Sequence, residues 1–281
     1  MPLGTTTSAG DIYTAANWST GALPSRLNPL LLNPQNITIN NAMTNAVTSA
    51  AIYLNGFTTI TSAGSVDCHG ANLTIEDDCS IGGNITTCGT LGVQPSNSGS
   101  TSTFAISAGV TIGATTVTVQ PAAIATAFLN TGGVALPAVT ILAHLTNKVS
   151  LTSNLACASL DVEGILSGQA SGSTAAESVN VAGALTVNGT LTLCTSITFG
   201  SCTNTGTISN STVTFGGKPI TNMGGTLSGN TFMDSGTILG GTVTGCTGTV
   251  QCFGATNGGG NSAGVLFAAE LATFLNAEIA A

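Results

Sequence analysis

Residues 179–199 read VNVAGALTVNGTLTLCTSITF, and this stretch carries two apolar columns that share a period of six residues. The columns are Val179, Leu185, Leu191 and Ile197 and, two positions later, Val181, Val187, Leu193 and Phe199. Because residues i and i+2 of an extended strand share a face, each pair predicts a very short strand that points two side chains inward. Turn-prone residues separate the pairs, as at Asn188 and Gly189. Ordinary strands of about 5 to 6 residues with separate loops do not fit this spacing, so the pattern predicts a β-solenoid.

The same period extends in both directions along the chain. Later apolar anchors are Ile208, Val213, Ile220, Leu227, Phe232, Ile238, Val243 and Val250, and earlier ones are Ile60, Val66, Leu73, Cys79, Ile85 and Leu91. Gly-Thr before an aliphatic residue recurs at Gly189, Gly206, Gly225, Gly236, Gly241 and Gly248. This dipeptide suits a corner followed by a β-branched strand start. Three sides of six residues predict a coil of roughly 18 residues, and stacked coils rise by about 4.8 Å.

The composition is poor in charge. Charged residues make up 5% of the chain, where about 25% is usual for a soluble domain, and Ser, Thr, Asn and Gly supply the polar surface. Uncharged side chains suit the stacked ladders of a β-coil, where like charges in register would repel. The net charge is −8, and Arg26, Lys148 and Lys218 are the only cations. Nucleic-acid binding needs clustered Lys and Arg, so we expect no nucleic-acid partner.

The first residues, MPLGT, lack the basic and apolar regions of a signal peptide. This predicts synthesis in the cytosol with reduced thiols. The eight cysteines show no C-x-x-C spacing and sit near apolar columns, so we interpret them as small buried hydrophobes. They are Cys68, Cys79, Cys88, Cys157, Cys194, Cys202, Cys246 and Cys252. We predict neither a metal site nor a cofactor.

The N-terminal third divides into two predicted parts. Residues 1–36 are rich in Pro, Gly, Ser and Thr, which predicts an extended N-terminal arm. An apolar patch in this arm consists of Leu30, Leu31 and Leu32. Residues 37–94 predict a first β-helical stack.

The rest of the chain divides into three further parts. Residues 95–150 lose the six-residue step and predict an insertion or subdomain, with a hairpin or longer strand at 110–120 and a short helix at 122–129. Residues 151–257 predict a second β-helical stack. Residues 258–281 begin with a glycine run and predict a short C-terminal helix.

The C-terminal helix is predicted from apolar residues at helical spacing, Phe267, Leu271, Phe274 and Leu275. Two glutamates and an asparagine among these residues argue against a membrane span, so we expect no membrane partner. Two roles stay open: the helix caps the open end of the solenoid, or it contacts a neighbouring subunit.

Candidate chemistry is sparse. Glu76, Asp77 and Asp78 form the only acidic run, and a carboxylate pair on a β-helix face could hydrolyse a glycosidic bond, bind calcium or form a solvated turn. Neighbours in a strand point to opposite faces, so only Glu76 and Asp78 are expected to converge. Cys68 and His69 are adjacent without a nucleophile signature, and His144 lies among apolar residues. We therefore expect no enzymatic activity and no small-molecule substrate.

The Thr/Gly/Asn-rich six-residue coils, the few charges, the proline-bearing arm and the terminal helix together resemble β-helical structural proteins of tailed-phage virions. Capsid decoration (cement) proteins and tail spikes or fibres are the nearest types, and the resemblance contains no diagnostic motif. It implies a homotrimer that clamps neighbouring capsomers of the major capsid protein. A trimeric tail spike or fibre for host attachment is the first alternative, and a polysaccharide-acting β-helical enzyme is the second.

The predicted contacts lie at the two ends of the chain. The interface candidates are Tyr13, Trp18, Leu30, Leu31, Leu32, Phe267, Leu271, Phe274 and Leu275, with the arm as the fastening element. Trp18 has a second possible role, in which it covers the first open coil.

Overall fold

The computed structural model describes residues 4–23, 36–46, 51–94, 101–121, 126–143, 147–169 and 173–268. These residues form a β-solenoid, in which the chain winds through short parallel strands that stack coil on coil. The all-β class predicted from the six-residue period is confirmed.

The strands are short and follow one another closely along the chain. In the first half they are β1 (Gly4–Thr5), β2 (Gly10–Asp11), β3 (Ile37–Ile39), β4 (Ala42–Thr44), β5 (Ile52–Asn55), β6 (Thr58–Ile60), β7 (Ser65–Asp67), β8 (Leu73–Glu76), β9 (Cys79–Ile81), β10 (Asn84–Val93), β11 (Thr101–Ile106), β12 (Ile112–Val119), β13 (Thr126–Asn130), β14 (Ala135–Ile141) and β15 (Lys148–Leu151). In the second half they are β16 (Leu155–Val162), β17 (Ile165–Ser167), β18 (Ser178–Val187), β19 (Thr190–Thr192), β20 (Ser196–Asn204), β21 (Thr207–Ser209), β22 (Thr212–Thr214), β23 (Ile220–Asn222), β24 (Thr226–Ser228), β25 (Thr231–Phe232), β26 (Gly236–Leu239), β27 (Thr242–Thr244), β28 (Val250–Phe253), β29 (Thr256–Asn257) and β30 (Val265–Phe267). A single 3-10 turn, Ala15–Asn17, lies between β2 and β3 in the described chain.

One face of the solenoid is a thirteen-stranded parallel sheet, which we call the first face. Its strand order is β1-β3-β6-β9-β11-β13-β15-β17-β19-β21-β24-β27-β29. The remaining strands form the other sides, and the longest of them run through a corner. β18 does so with a shift of register between Val181 and Ala184 where it pairs with β20. This shift lets one strand serve two sides of the coil.

The coil length agrees with the sequence period. Val179 pairs with Ile197 and Leu185 with Cys202 on two sides, and Leu191 pairs with Ile208 on the third. Equivalent residues are therefore 17 or 18 positions apart, which confirms a three-sided coil of about 18 residues in this region. The coils shorten towards the C-terminus, where Leu227 pairs with Val243 and Val243 with Asn257.

The core is a set of inward apolar columns. Every anchor named from the sequence outside residues 179–199 is buried, and so are seven of the eight residues of the two columns inside it. The exception is Leu193, which is 36% exposed and has a φ of 56°. It lies just past β19, at a corner where the backbone turns its side chain outward. The rings of Phe199, Phe215 and Phe232 follow one another in successive coils, with centroids 6.4 and 5.4 Å apart; the first pair meets edge to face and the second is tilted.

Residues 95–150 were wrongly predicted to form an insertion. β11 pairs with β9 and β13, and β12 pairs with β10 and β14, so the described part of this segment continues the same sheets. The longer strand expected at 110–120 is present as β12. Thr126–Asn130 is a strand rather than part of a helix. The six-residue step disappears because these coils are longer: Phe104 pairs with Leu129, 25 positions later.

The two predicted end elements also differ from expectation. Residues 4–23 do not form an extended arm, because β1 and β2 pair with β3 and β4 and complete a first coil. At the other end, Phe267 belongs to β30 and is buried, instead of lying on a helix. Leu30, Leu31, Leu32, Leu271, Phe274 and Leu275 lie outside the described residues.

Candidate interaction faces

The second half of the first face carries a regular group of hydroxyl side chains, which we call the hydroxyl array. It consists of Thr190, Thr192, Thr207, Ser209, Thr226, Ser228, Thr242 and Thr244, on β19, β21, β24 and β27. The middle residue of each strand is buried in the core and its two neighbours are partly exposed. The strands pair in register without a shift, so the outward residues form two columns. Thr256 of β29 extends the first column by one strand.

The Gly-Thr corners keep the strands of this array in register. The Thr207 N–H donates to the Gly189 carbonyl and the Thr226 N–H to the Gly206 carbonyl, both at 2.8 Å. Thr242 repeats the contact with Gly225 at 2.9 Å. A Cβ on Gly206 would lie 2.0 Å from the Gly189 oxygen, so only glycine permits this close approach of coils. The dipeptide recognised in the sequence therefore sets the alignment of consecutive threonines.

The two columns differ in their hydrogen bonds. In the second column the Ser209 hydroxyl donates to Thr192 Oγ1 at 2.9 Å, and the Thr244 hydroxyl donates to the Gly259 carbonyl at 3.1 Å. In the first column the hydroxyls of Thr190, Thr207, Thr226 and Thr242 make no hydrogen bond within the described protein. These hydroxyls are free to bind water or a ligand.

A buried asparagine ladder supports the corner beside the array. Asn204 Nδ2 donates to Asn222 Oδ1 at 2.7 Å, and Asn222 Nδ2 donates to the Gly240 carbonyl at 3.2 Å. Both asparagines are fully buried. Sequence reasoning missed this ladder, although an Asn shortly before a Gly-Thr corner recurs at Asn188, Asn204 and Asn222.

A second outward feature is apolar. Leu239 and Phe253 pair across β26 and β28 and are 40% and 39% exposed, so two large side chains stand next to each other on the surface. We call them the apolar pair. Met223, at 66% exposure, lies two residues beyond Thr221, which pairs with Leu239. Sequence reasoning did not select Leu239 and Phe253, because each of them directly follows a core residue in its strand, Ile238 and Cys252.

The described interface candidates at the N-terminus have different placements. The Trp18 side chain is 3% exposed, and its indole N–H donates to the Ile12 carbonyl at 3.0 Å. Trp18 thus covers the first coil, which is the second of its two proposed roles. Tyr13 is 38% exposed and its hydroxyl donates to the Ala51 carbonyl at 3.0 Å. Partial burial and the nearby Asp11 raise the pKa of the Tyr13 hydroxyl.

The acidic run forms a structural corner. Asp77 is 3% exposed with a φ of 133°, and Asp77 Oδ1 accepts the Asp78 N–H at 2.9 Å. Burial raises the pKa of Asp77. Asp78 Oδ1 in turn accepts the Thr103 N–H of the next coil at 2.6 Å. These carboxyl groups are therefore used to hold backbone amides.

The pair Cys68 and His69 is also part of a turn. Asp67 Oδ1 accepts a hydrogen bond from the Thr87 hydroxyl and one from the His69 N–H, and these bonds lower the pKa of Asp67. A hydrogen bond with the Cys88 thiol, together with burial, raises the pKa of Cys68. A neutral, buried thiol is a poor nucleophile. His144 lies outside the described residues.

The cysteines are buried free thiols, as predicted. Burial raises the pKa of Cys157, Cys194 and Cys202 to about 12. In the described ranges, no group of three or more His, Cys, Asp or Glu side chains is placed to hold a metal ion. No helix of that same part of the chain is long and apolar enough to cross a membrane.

Comparisons with known proteins add no relatives: no family model, no curated protein and no solved structure matches the chain.

Proposed function

We propose that this chain is a non-enzymatic structural protein of a virion that decorates the capsid and clamps neighbouring capsomers of the major capsid protein. One observation carries the proposal: the described chain is a single continuous solenoid whose outward side chains are mostly uncharged. A protein that works as a rigid part of an assembly does not depend on its own charge for solubility. The resemblance in composition to phage decoration proteins supports the virion as its location.

The apolar pair is the surface that we assign to contacts between copies. Leu239 and Phe253 stand on adjacent strands near the C-terminal end of the solenoid. Neighbouring exposed apolar side chains favour burial against a partner, and closed symmetry is the usual outcome for identical subunits. We propose a homotrimer in which each copy buries its apolar pair. Trp18 lies in the core and is therefore not part of this contact. The fastening role of the N-terminal arm stays a prediction, because Leu30, Leu31 and Leu32 lie outside the described residues.

Quantitative mass spectrometry of purified particles tests this function. A decoration protein is expected at a copy number comparable with that of the major capsid protein. A copy number far below it, with the chain found in isolated tails, would contradict the decoration role and favour the tail spike or fibre. Absence from purified particles would contradict both.

The enzyme alternative has its own test. A groove of 420 Å³ beside Gly109 and Gly133 is lined by Gly, Val, Thr, Ile and Ala, residue types that supply no catalytic acid or base. In the acidic run, Asp77 and Asp78 use their carboxyl groups to hold backbone amides. Depolymerisation of a host polysaccharide by the purified protein, lost in Glu76→Gln or Asp78→Asn, would establish catalysis and overturn the structural proposal.

A further inference from the structure

We propose that the hydroxyl array is an ice-binding face. The ligand is crystalline water, a solid whose surface presents oxygen atoms in flat, repeating rows. The inference concerns β19, β21, β24, β27 and the adjoining β29. An ice-binding face requires nothing of a capsid, and the virion proposal requires nothing of ice, so either can fail alone.

The array has a two-dimensional repeat. Successive strands of a sheet are about 4.8 Å apart, so Thr190, Thr207, Thr226, Thr242 and Thr256 form a row about 19 Å long. Within each strand the two outward residues are about 6.6 Å apart, because a parallel strand rises about 3.3 Å per residue. Rows of water oxygens on the flat planes of hexagonal ice have spacings in the same range. A rigid surface with both spacings can meet many lattice oxygens at once.

The array is also held rigidly. Leu191, Ile208 and Leu227 lie under it with exposures of 0 or 1%. The repeated amide–carbonyl bonds of the Gly-Thr corners, at 2.8 to 2.9 Å, prevent one coil from sliding along the next. Threonine side chains are themselves restricted about χ1. Little conformational freedom is therefore left to lose when the face meets a solid, and this preorganisation favours binding.

The chemistry of the face suits water better than it suits a charged or apolar partner. None of the array residues is charged, and Lys218 and Asp234 are the only charged residues between 179 and 268. Both lie outside the strands of the first face. The first column offers hydroxyls without partners in the described protein, each beside a methyl group. A hydroxyl both donates and accepts, as a lattice water does, so it can join the hydrogen-bond network of ice.

Many weak contacts add up at such a face. One threonine–water contact has little affinity, but contacts that form together on a rigid scaffold share a single loss of translational freedom. A long side chain at the centre of the array would hold the whole face away from the ice plane. The effect of such a change should therefore greatly exceed the loss of one contact.

The test measures thermal hysteresis and inhibition of ice recrystallisation with the full-length protein. We expect both activities in the unchanged protein and expect them to be largely lost in Thr226→Lys and, independently, in Thr207→Lys. The matched control is Thr203→Lys, an outward position of similar burial on another side, which should retain full activity. Far-UV circular dichroism and melting temperature show that each variant is folded.

Three results would overturn the proposal. The unchanged protein could leave ice growth unaffected, the two array variants could retain full activity, or Thr203→Lys could lose as much as they do. Sedimentation velocity distinguishes another occupant of the face. If the array variants abolish self-association while ice growth is unaffected throughout, the array binds a second copy of the chain instead.

Discussion

Replacement of Gly206 by alanine tests how the coils are stacked. The added Cβ would lie 2.0 Å from the Gly189 oxygen and 2.6 Å from the Asn188 oxygen, both of them backbone atoms. Contacts of Cβ atoms below 3.0 Å are essentially never seen, so the two coils must separate locally by about 1 Å. The bonds from Gly206 N–H to the Val187 carbonyl and from Thr207 N–H to the Gly189 carbonyl, 2.9 and 2.8 Å long, would then exceed hydrogen-bonding distance.

The expected loss follows from these contacts. Overpacking costs about 1–3 kcal/mol, and two lost hydrogen bonds cost about 1 kcal/mol each. Gly206→Ala should therefore lower the free energy of unfolding by about 3–5 kcal/mol, measured by urea denaturation followed by circular dichroism.

Gly92→Ala is the matched control for this change. Gly92 lies within β10, and a Cβ there would be 3.4 Å from Thr118 Oγ1, an ordinary contact. Removing a strand glycine should stabilise the fold by about 0.5–1 kcal/mol. Equal stability of the two variants would refute the account of the Gly-Thr corner.

Four further predictions concern other parts of the molecule. Phe215→Ala removes the fully buried ring between Phe199 and Phe232 and should lower the free energy of unfolding in urea by about 3–5 kcal/mol. A loss below about 1 kcal/mol would contradict the packing. Asp77→Asn should raise the melting temperature at neutral pH, because the raised pKa of Asp77 shows that its ionised form is unfavourable in the folded state. The gain in melting temperature should disappear as pH falls below the unfolded pKa of 3.8. A lower melting temperature of the variant at pH 7 would contradict the prediction. The free energy of unfolding should fall as pH rises from about 9 towards 12, because the thiols of Cys194 and Cys202 have a pKa near 9 when unfolded but near 12 when folded, and each pKa unit corresponds to about 1.4 kcal/mol. Replacing both cysteines by alanine should flatten this decline. An unchanged slope in the variant would contradict the assignment to these two thiols. Phe253→Ser should shift the protein from trimer to monomer in sedimentation velocity without lowering its melting temperature; a monomeric unchanged protein would refute the trimer.

The solenoid was predictable where its coils are regular. Around Val179 to Ile208 the coils are 17 or 18 residues long, close to three sides of six, and a period-2 pair on each side leaves a clear apolar column. Residues 101–141 keep the same sheets but use coils that are several residues longer, so the period disappears while the fold continues. Part of the excess lies at the corner between β11 and β12, where residues 107–111 separate the two strands. A fixed period cannot represent corners of variable length.

The end elements show a second limit of sequence reasoning. Prolines and glycines near the N-terminus predicted a free arm, yet β1 and β2 are held by parallel pairing with β3 and β4. Such pairing joins residues more than thirty positions apart, as in Gly4 with Ile37, and local composition does not report it. Trp18 was selected as a large aromatic, but only the three-dimensional contacts distinguish a cap from an interface.

The hydroxyl array illustrates what the sequence shows only after the register is known. Its Gly-Thr corners were visible as a repeated dipeptide, but the second hydroxyl of each strand and the buried asparagines became meaningful only when coils were aligned. The exposed apolar pair is a similar case, because Leu239 and Phe253 become neighbours through strand pairing alone.

The central claim is that the coils from Thr190 to Thr256 stack directly on one another, and a crystal structure tests this claim most directly. The account predicts that successive Cα atoms of Thr190, Thr207, Thr226, Thr242 and Thr256 are separated by a uniform distance of about 4.8 Å, with every threonine side chain pointing outward. A shift of one residue in any of these strands would turn Ile208, Leu227 or Val243 to the surface and would contradict it.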